Sequence, residues 1–478
     1  MPDVRIRLRG APRRDRARPT GCLPRRPPRL EPAPSGGRRR SQRDLAQQPS
    51  RRFSRRRLRA ELRLRELATR RPHPETPLTT TEASLIERAR EVLARAPVID
   101  GHNDFLWEAR DRVGYDFDRL DLAGPLPDLM TDIPRIRAGG LGGQFWSVYV
   151  PSDLPGDSSV TATLEQVDAL HAMVRRYPDT FQLARTAGGV ERAANQSRVA
   201  SMIGVEGGQS IGSSLGALRI LAALGAGYMT LTHNDNTPWA DSATDTPVHG
   251  GLTRFGEEVV REMNRLGVLV DLSHVSADTM AHAIEVSEAP AIFSHSSARA
   301  LCDVARNVPD DILSRVASSE GVVMVTFVPL FLTPAGAEAS AAAWAETTRL
   351  RAEHPGDPKA VEAGMEAWFA EHPAPPTSVE DVADHLDHIR RVAGIDHIGV
   401  GSDFDGAPSM PEGLEDVSRY PNLFAELLGR GYSDEDIAKI SRGNILRVMR
   451  ANQGAAGRLS RERPPSLVRI DEVDADKP

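Results

Sequence analysis

The sequence predicts an α/β fold: a (β/α)8 barrel of the TIM type behind a basic, disordered N-terminal tail. Three observations predict it. Between about residues 83 and 450, eight short apolar, β-branched runs alternate with longer helical patterns. Several runs are apolar almost throughout, as in parallel strands covered on both faces. Six of the eight end in an ionisable residue, and barrel strands aim their C-terminal ends at one mouth.

The runs are residues 96–100 (APVID), 144–150 (QFWSVYV), 199–205 (VASMIGV), 228–232 (YMTLT), 268–272 (VLVDL), 291–294 (AIFS), 322–327 (VVMVTF) and 397–401 (HIGVG). Helical spacing of apolar residues marks 164–177, 215–224, 255–266 and 379–392 between them. The Ala/Glu-rich stretch 335–375, interrupted by Pro, reads as an inserted loop or helix pair near the barrel mouth, with no chemistry assigned to it. A doubly wound open sheet is the alternative. No GxGxxG or GxxxxGK[ST] opens a helix, which leaves a nucleotide site of those types without support.

Charge divides the chain. Residues 1–80 carry 24 Arg and no Lys against 7 acidic residues, a local charge of +17, and are rich in Pro. The remainder has 36 basic against 59 acidic residues, or −23, which argues against a nucleic-acid-binding body. The tail cannot bury enough apolar surface to offset its ordering entropy. Within it, residues 51–70 have the spacing of a basic helix, and a nucleic-acid or anionic-membrane arm is the sharper alternative to the solvated, disordered tail expected. Residues 452–478 read as a polar, frayed C-terminal tail. The two cysteines, Cys22 and Cys302, exclude a disulfide scaffold and a cysteine zinc module. No apolar run reaches the ~18 residues of a membrane span, and the first residues lack the apolar stretch of a secretory signal. The expectation is a cytoplasmic protein, with no membrane and no nucleic-acid partner.

The chemistry collects at the strand ends. His102 and Asp104 follow APVIDG, and residues i and i+2 of an extended strand share a side, so imidazole and carboxylate can hold one ion. His274 and His295 end consecutive strands, and two neutral imidazoles suit a divalent metal such as zinc. Glu206, in GVEGGQSIG, has two oxygens to offer two ions. The chain's three lysines (Lys359, Lys439, Lys477) all lie away from strand ends, which leaves Glu206 as the bridge. One site is then His102, Asp104 and Glu206, and the other Glu206, His274 and His295. Each keeps an open position, as catalytic metals do. Asp403, in GSDFDG, can accept the proton of an activated water and pass it to a leaving amine. Asp405 ranks second in that role and can equally fix its loop. His233, in LTHNDNTPWAD, is positioned to stabilise an oxyanion rather than to ligate. By spacing alone Arg306 reads as a surface arginine. Trp107, Trp146 and Trp239 read as packing, and Cys302 as a buried small hydrophobe.

The stretches IDGHND, GGQFWSVYV, IGVEGG, LTHNDNTPWAD, LGVLVDLSHVS, FSHSSARALC, RNVPDD and GSDFDGAPSMPEGLEDVSRYPNL closely resemble the membrane (renal) dipeptidase family of binuclear zinc metallopeptidases. The resemblance runs in order from about 83 to 450 and leaves out residues 1–80 and the insertion. It implies two Zn²⁺ per subunit (Mn²⁺, Fe²⁺ or Co²⁺ being compatible with such ligands) and hydrolysis of dipeptides by a metal-bridging hydroxide. A D-residue at the C-terminal position is among the substrates it implies. It matches His102, Asp104, Glu206, His274 and His295 to metal ligands, and His233, Arg306 and Asp403 to substrate-contacting positions. Arg306 would then hold the substrate carboxylate. A homodimer is a further expectation. The disulfides and lipid anchor of vertebrate relatives are not expected here. Related chemistries on the same fold are lactam opening and deacylation. A catalytically silent binding protein is disfavoured by the intact ligand set.

Overall fold

A computed structural model describes residues 80–475 apart from Pro155. The tail read over residues 1–80, with its candidate basic helix at 51–70, lies outside the described residues but for Thr80.

Nine parallel strands form one sheet: β1 (Val98–Asn103), β2 (Leu141–Tyr149), β3 (Phe181–Leu183), β4 (Val199–Glu206), β5 (Ala226–Thr230), β6 (Leu269–Asp271), β7 (Ile292–Phe293), β8 (Val322–Val325) and β9 (Ile398–Val400). The order β2-β1-β9-β8-β7-β6-β5-β4 closes through a β2–β4 pairing into an eight-stranded barrel. All eight strands are the runs expected from the sequence. The ninth, β3, is three residues long and too short for a periodic signal. It pairs with Val199–Ser201 of β4, while β5 pairs with Ile203–Val205 on the same edge. One long strand thus serves two short neighbours, and the barrel still closes.

Local chemistry sets the helix limits. The helix Arg254–Leu266 starts where the Thr253 side chain accepts the Gly256 N–H and stops at Gly267, whose φ of 76° favours glycine. Its buried residues Phe255, Val259, Val260 and Met263 lie on one face. Helices Leu215–Leu224 and Val379–Val392 fall at the limits read from the sequence. The insertion is a helix pair, Pro334–Glu353 and Pro358–Glu371, joined by a Thr347 Oγ1 to Met365 Sδ hydrogen bond.

The expectation of a frayed tail from residue 452 is corrected. The helix Asn444–Glu462 runs through that point, with Asn452 and Leu459 buried. Beyond it, Ser466 donates to Glu258 and the Phe255 N–H donates to Asp474. Polar composition misleads here because scattered apolar residues of the segment, Leu459, Val468, Ile470 and Val473, pack on the core while its polar groups bond the helix Arg254–Leu266.

Two apolar layers fill the molecule. One lies between the strands and the surrounding helices, around Val98, Val148, Val205 and Val270. The other fills the lumen with Ile99, Phe145, Met202, Tyr228, Leu269, Ile292 and Met324. Apolar packing therefore closes the lower barrel, and polar side chains are left to the mouth. Among the described residues no helix is long and apolar enough to cross a membrane.

Candidate active site

β1 delivers His102 and, one residue past its end, Asp104, with His102 Nε2 3.2 Å from Asp104 Oδ2. β4 ends on Glu206. The glycines after it are required: Gly207 has φ of 104°, and a Cβ on Gly208 would meet Leu231 O at 2.3 Å. Glu206 divides its oxygens. Oε2 lies 3.4 Å from His102 Nε2 and accepts the Ser147 hydroxyl at 2.9 Å. Oε1 lies 3.1 Å from His274 Nε2, 3.6 Å from His233 Nε2 and 3.7 Å from His295 Nε2. His274 and His295 face each other, Nε2 to Nε2, at 2.9 Å.

The structure therefore brings all five expected ligands together. Among the described residues the donor atoms form three overlapping triads: His102/Glu206/His295, Glu206/His233/His274 and His102/Asp104/Asp403. This grouping differs from the two triads read from the sequence. His233 and Asp403 stand inside the cluster rather than behind it, Asp403 Oδ1 being 4.0 Å from His102 Nε2. Strand spacing says which residues reach the mouth but not how their side chains interleave.

Neighbours that the sequence reading missed orient the imidazoles. The Tyr228 hydroxyl donates to Gly101 O at 3.1 Å, so it accepts from His102 Nδ1 at 2.8 Å. Ser294 Oγ donates to Asp271 Oδ2 at 2.6 Å and so accepts from His295 Nδ1 at 2.8 Å. Both rings are thereby held as Nδ1–H tautomers with the Nε2 lone pair turned into the cluster. Asp271 is filled by four donors, with Thr230, Ser273 N and Ser294 N completing the set. A carboxylate inside an otherwise apolar strand run was the available signal for Asp271, and a lone tyrosine hydroxyl in YMTLT the signal for Tyr228.

Backbone strain concentrates here. His274 and Asp403 have φ of 66° and 68°, and Asp405 65°. The His274 carbonyl accepts from Ala243 N, Ser242 Oγ and Thr232 Oγ1, which holds the strained turn. Asp405 accepts the Met130 N–H at 2.7 Å and so fixes the loop.

Electrostatics follow burial. Burial lowers His274 and His295 well below the usual imidazole value, and the nearby Arg306 adds to this. Burial opposes ionisation of Glu206, but His102, His274 and His233 hold its carboxyl well below the usual range. For His102 burial works downward, and Tyr228, Glu206 and Asp104 outweigh it, raising it well above the usual value. Burial pushes Asp403 up to about 8, with His102 opposing and Asp104 adding to the rise.

A divalent cation fits this cluster. His102 Nε2 is buried with no hydrogen-bond partner. The 2.9 Å approach of His274 and His295 sets two nitrogens together that repel unless a cation or proton lies between them. Donors held by one zinc-sized ion at ~2.0–2.2 Å are mutually ~3–3.5 Å apart, close to the 3.1–3.7 Å spread about Glu206.

Arg306, a surface arginine by spacing alone and a substrate-contacting one by the resemblance, is buried. It is 3% exposed, donates to Ser296 Oγ and His295 O at 3.3 Å each, and lies over the Phe331 ring. Among the described residues no carboxylate pairs with it. Burial lowers it to about 10. A buried cation without a counter-ion beside the mouth is costly unless a substrate anion completes it. Trp146 and Trp239 are fully buried packing, as expected, and Trp107 packs edge-on against Tyr149, which in turn lies 4.7 Å from the His233 ring. Cys302 is buried, and burial raises its thiol to about 11.

Imidazoles and carboxylates converging on the open mouth of a parallel barrel define a metal-dependent hydrolase. A family model described as membrane dipeptidase (peptidase family M19) matches residues 86–463. Dipeptidase verJ of Clonostachys rogersoniana is 40% identical over 375 residues, covering 76% of this chain and 86% of its own length. The structure of the probable dipeptidase PvdM from Pseudomonas aeruginosa is similar at TM-score 0.68 and 28% identity, over 78% of this chain and all of that one. A metallo peptidase from Rhodobacter sphaeroides, liganded with a phosphinate mimic of the dipeptide L-Ala-D-Ala, is similar at TM-score 0.62 and 26% identity, over 74% and 99%. The chain belongs to the membrane dipeptidase family and is a metallodipeptidase, a hydrolase acting on peptide bonds.

Proposed function

We propose that the protein is a binuclear, zinc-dependent dipeptidase whose substrates include dipeptides with a C-terminal D-residue. The observation that carries the reading is the division of Glu206, one oxygen toward His102 and the other toward His274 and His295. That is the posture of a carboxylate shared between two cations. His102 and Asp104 would hold one, His274 and His295 the other. When bound, the pair supplies a water of lowered pKa and polarises the scissile carbonyl.

The chain's own residues do the rest. Arg306 pairs with the free C-terminal carboxylate, in the two-pronged manner a guanidinium allows, and so limits the substrate to two residues. His233, 12% exposed at its side chain, donates to the developing oxyanion. Asp403 takes the proton from water and delivers it to the departing amine. The similarity to the Rhodobacter sphaeroides enzyme with its L-Ala-D-Ala mimic supports tolerance of the D-residue.

Metal analysis of the purified protein with a dipeptide panel in both stereochemical series tests this. Two metal equivalents are expected, with hydrolysis of L,L and L,D dipeptides. His274→Ala should lose metal and activity together. Retention of two equivalents and normal turnover by that variant would refute the assignment.

A further inference from the structure

Three segments that follow barrel strands at the mouth border an open recess of about 550 Å³: residues 243–247 after β5, 303–306 after β7, and the helix Pro334–Glu353 after β8. Arg306 lies in its wall. The helix contributes Ala337, Ser340, Ala341 and Trp344, spaced i, i+3, i+4, i+7 and therefore on one face. Further along the same helix, Arg351 bonds Asp235 at 2.7 and 3.3 Å. Asp235 stands two residues after His233 and also accepts from Ser152. The inserted helix is thus clamped to the loop that carries His233.

We infer that this recess is the subsite for the side chain of the substrate's C-terminal residue, and that it selects a large, aromatic side chain over a small or an acidic one. The inference rests on reading Arg306 as the carboxylate anchor. Carboxylate and side chain branch from the same carbon, so a carboxylate on Arg306 places the side chain at this recess. Its volume lies within the ~300–1,000 Å³ range of small-molecule sites. Alanines on the helix face leave that room open, and Trp344 offers a ring for offset or edge-on stacking. Asp245 and Asp303, both exposed on the lining, oppose an acidic side chain once Arg306 is engaged by the carboxylate.

The experiment compares kcat/KM of the metal-loaded full chain on Ala-Gly, Ala-Phe and Ala-Glu. Ala-Phe should exceed both others by about tenfold, the scale on which apolar pockets discriminate. Ala341→Trp, at an exposed position that borders the recess, fills it and should reduce the Ala-Phe to Ala-Gly ratio about tenfold, chiefly through KM. Trp344→Ala should also lower that ratio, and an unchanged thermal midpoint shows that each variant is folded. A wild-type enzyme indifferent to the three substrates, or variants that leave the ratio intact, overturns the subsite while the dipeptidase reading stands. Absence of turnover on every dipeptide overturns both.

Discussion

Replacing Tyr228 by Phe removes one oxygen and tests how the metal centre is prepared. The ring packs 5.2 Å from Phe145, and its shape is kept. What disappears is the acceptor of His102 Nδ1–H at 2.8 Å and the donor to Gly101 O at 3.1 Å. Both partners are buried. An unpaired buried polar group costs about 1–3 kcal/mol, so the variant loses a few kcal/mol, shared between the fold and the orientation of His102. Loss of such a support behind a ligating histidine typically lowers metal affinity about 10–100-fold. Competition with a chelator measures that affinity, and kcat and KM at saturating metal report what remains. The expected result is a weakened metal equivalent with most turnover restored by excess zinc. Gly204→Ala should act in the same direction, because its Cβ would stand 2.3 Å from the Tyr228 ring and displace it. Wild-type affinity in Tyr228→Phe, within about twofold, would refute the claim that the hydroxyl sets the His102 tautomer.

Asp271→Asn should reverse the other relay. The amide N–H₂ would donate to Ser294 Oγ, which would then donate to His295 Nδ1 and move the imidazole proton to Nε2. Metal affinity should fall by at least about tenfold, measured by chelator competition, and an unchanged affinity would exclude the relay. Arg306→Ala should raise KM for dipeptides strongly, while Arg306→Lys, which keeps the charge but not the fork, should recover only part of the loss; steady-state kinetics decide. His385 supplies a stability test away from the mouth. It accepts from Ala298 N and donates to Leu332 O, and burial lowers it to about 4. The folded state therefore holds it neutral, its stabilisation is complete above the unfolded value of about 6.5, and it is lost as pH falls toward 4. That amounts to about 3 kcal/mol. Denaturant unfolding of wild type and His385→Gln across this window should show the difference closing, and parallel curves would refute it.

The eight barrel strands and the four helical segments were legible because burial on both faces writes long apolar runs, and helix faces write a 3.6-residue period. β3 was not, since three residues hold no period. The C-terminal segment was misread because its apolar residues are scattered and its bonded polar groups, Ser466 and Asp474 among them, look like solvent-facing ones until their partners are seen. The same limit applied to Arg306, whose spacing suggests a surface side chain and whose position is buried.

The site divides in the same way. Which residues stand at strand ends is a property of order along the chain, so the sequence by itself determined that His102, Asp104, Glu206, His233, His274, His295 and Asp403 reach one mouth. The tertiary structure alone decided how they meet there. It set which oxygen of Glu206 faces which imidazole, and which ring nitrogen Tyr228 and Ser294 leave free. It also set the inserted helix beside Arg306. Those choices depend on side-chain rotamers and hydrogen-bond partners contributed by strands far apart in the chain. No local pattern encodes such pairings, because their energies exist only once the barrel has closed.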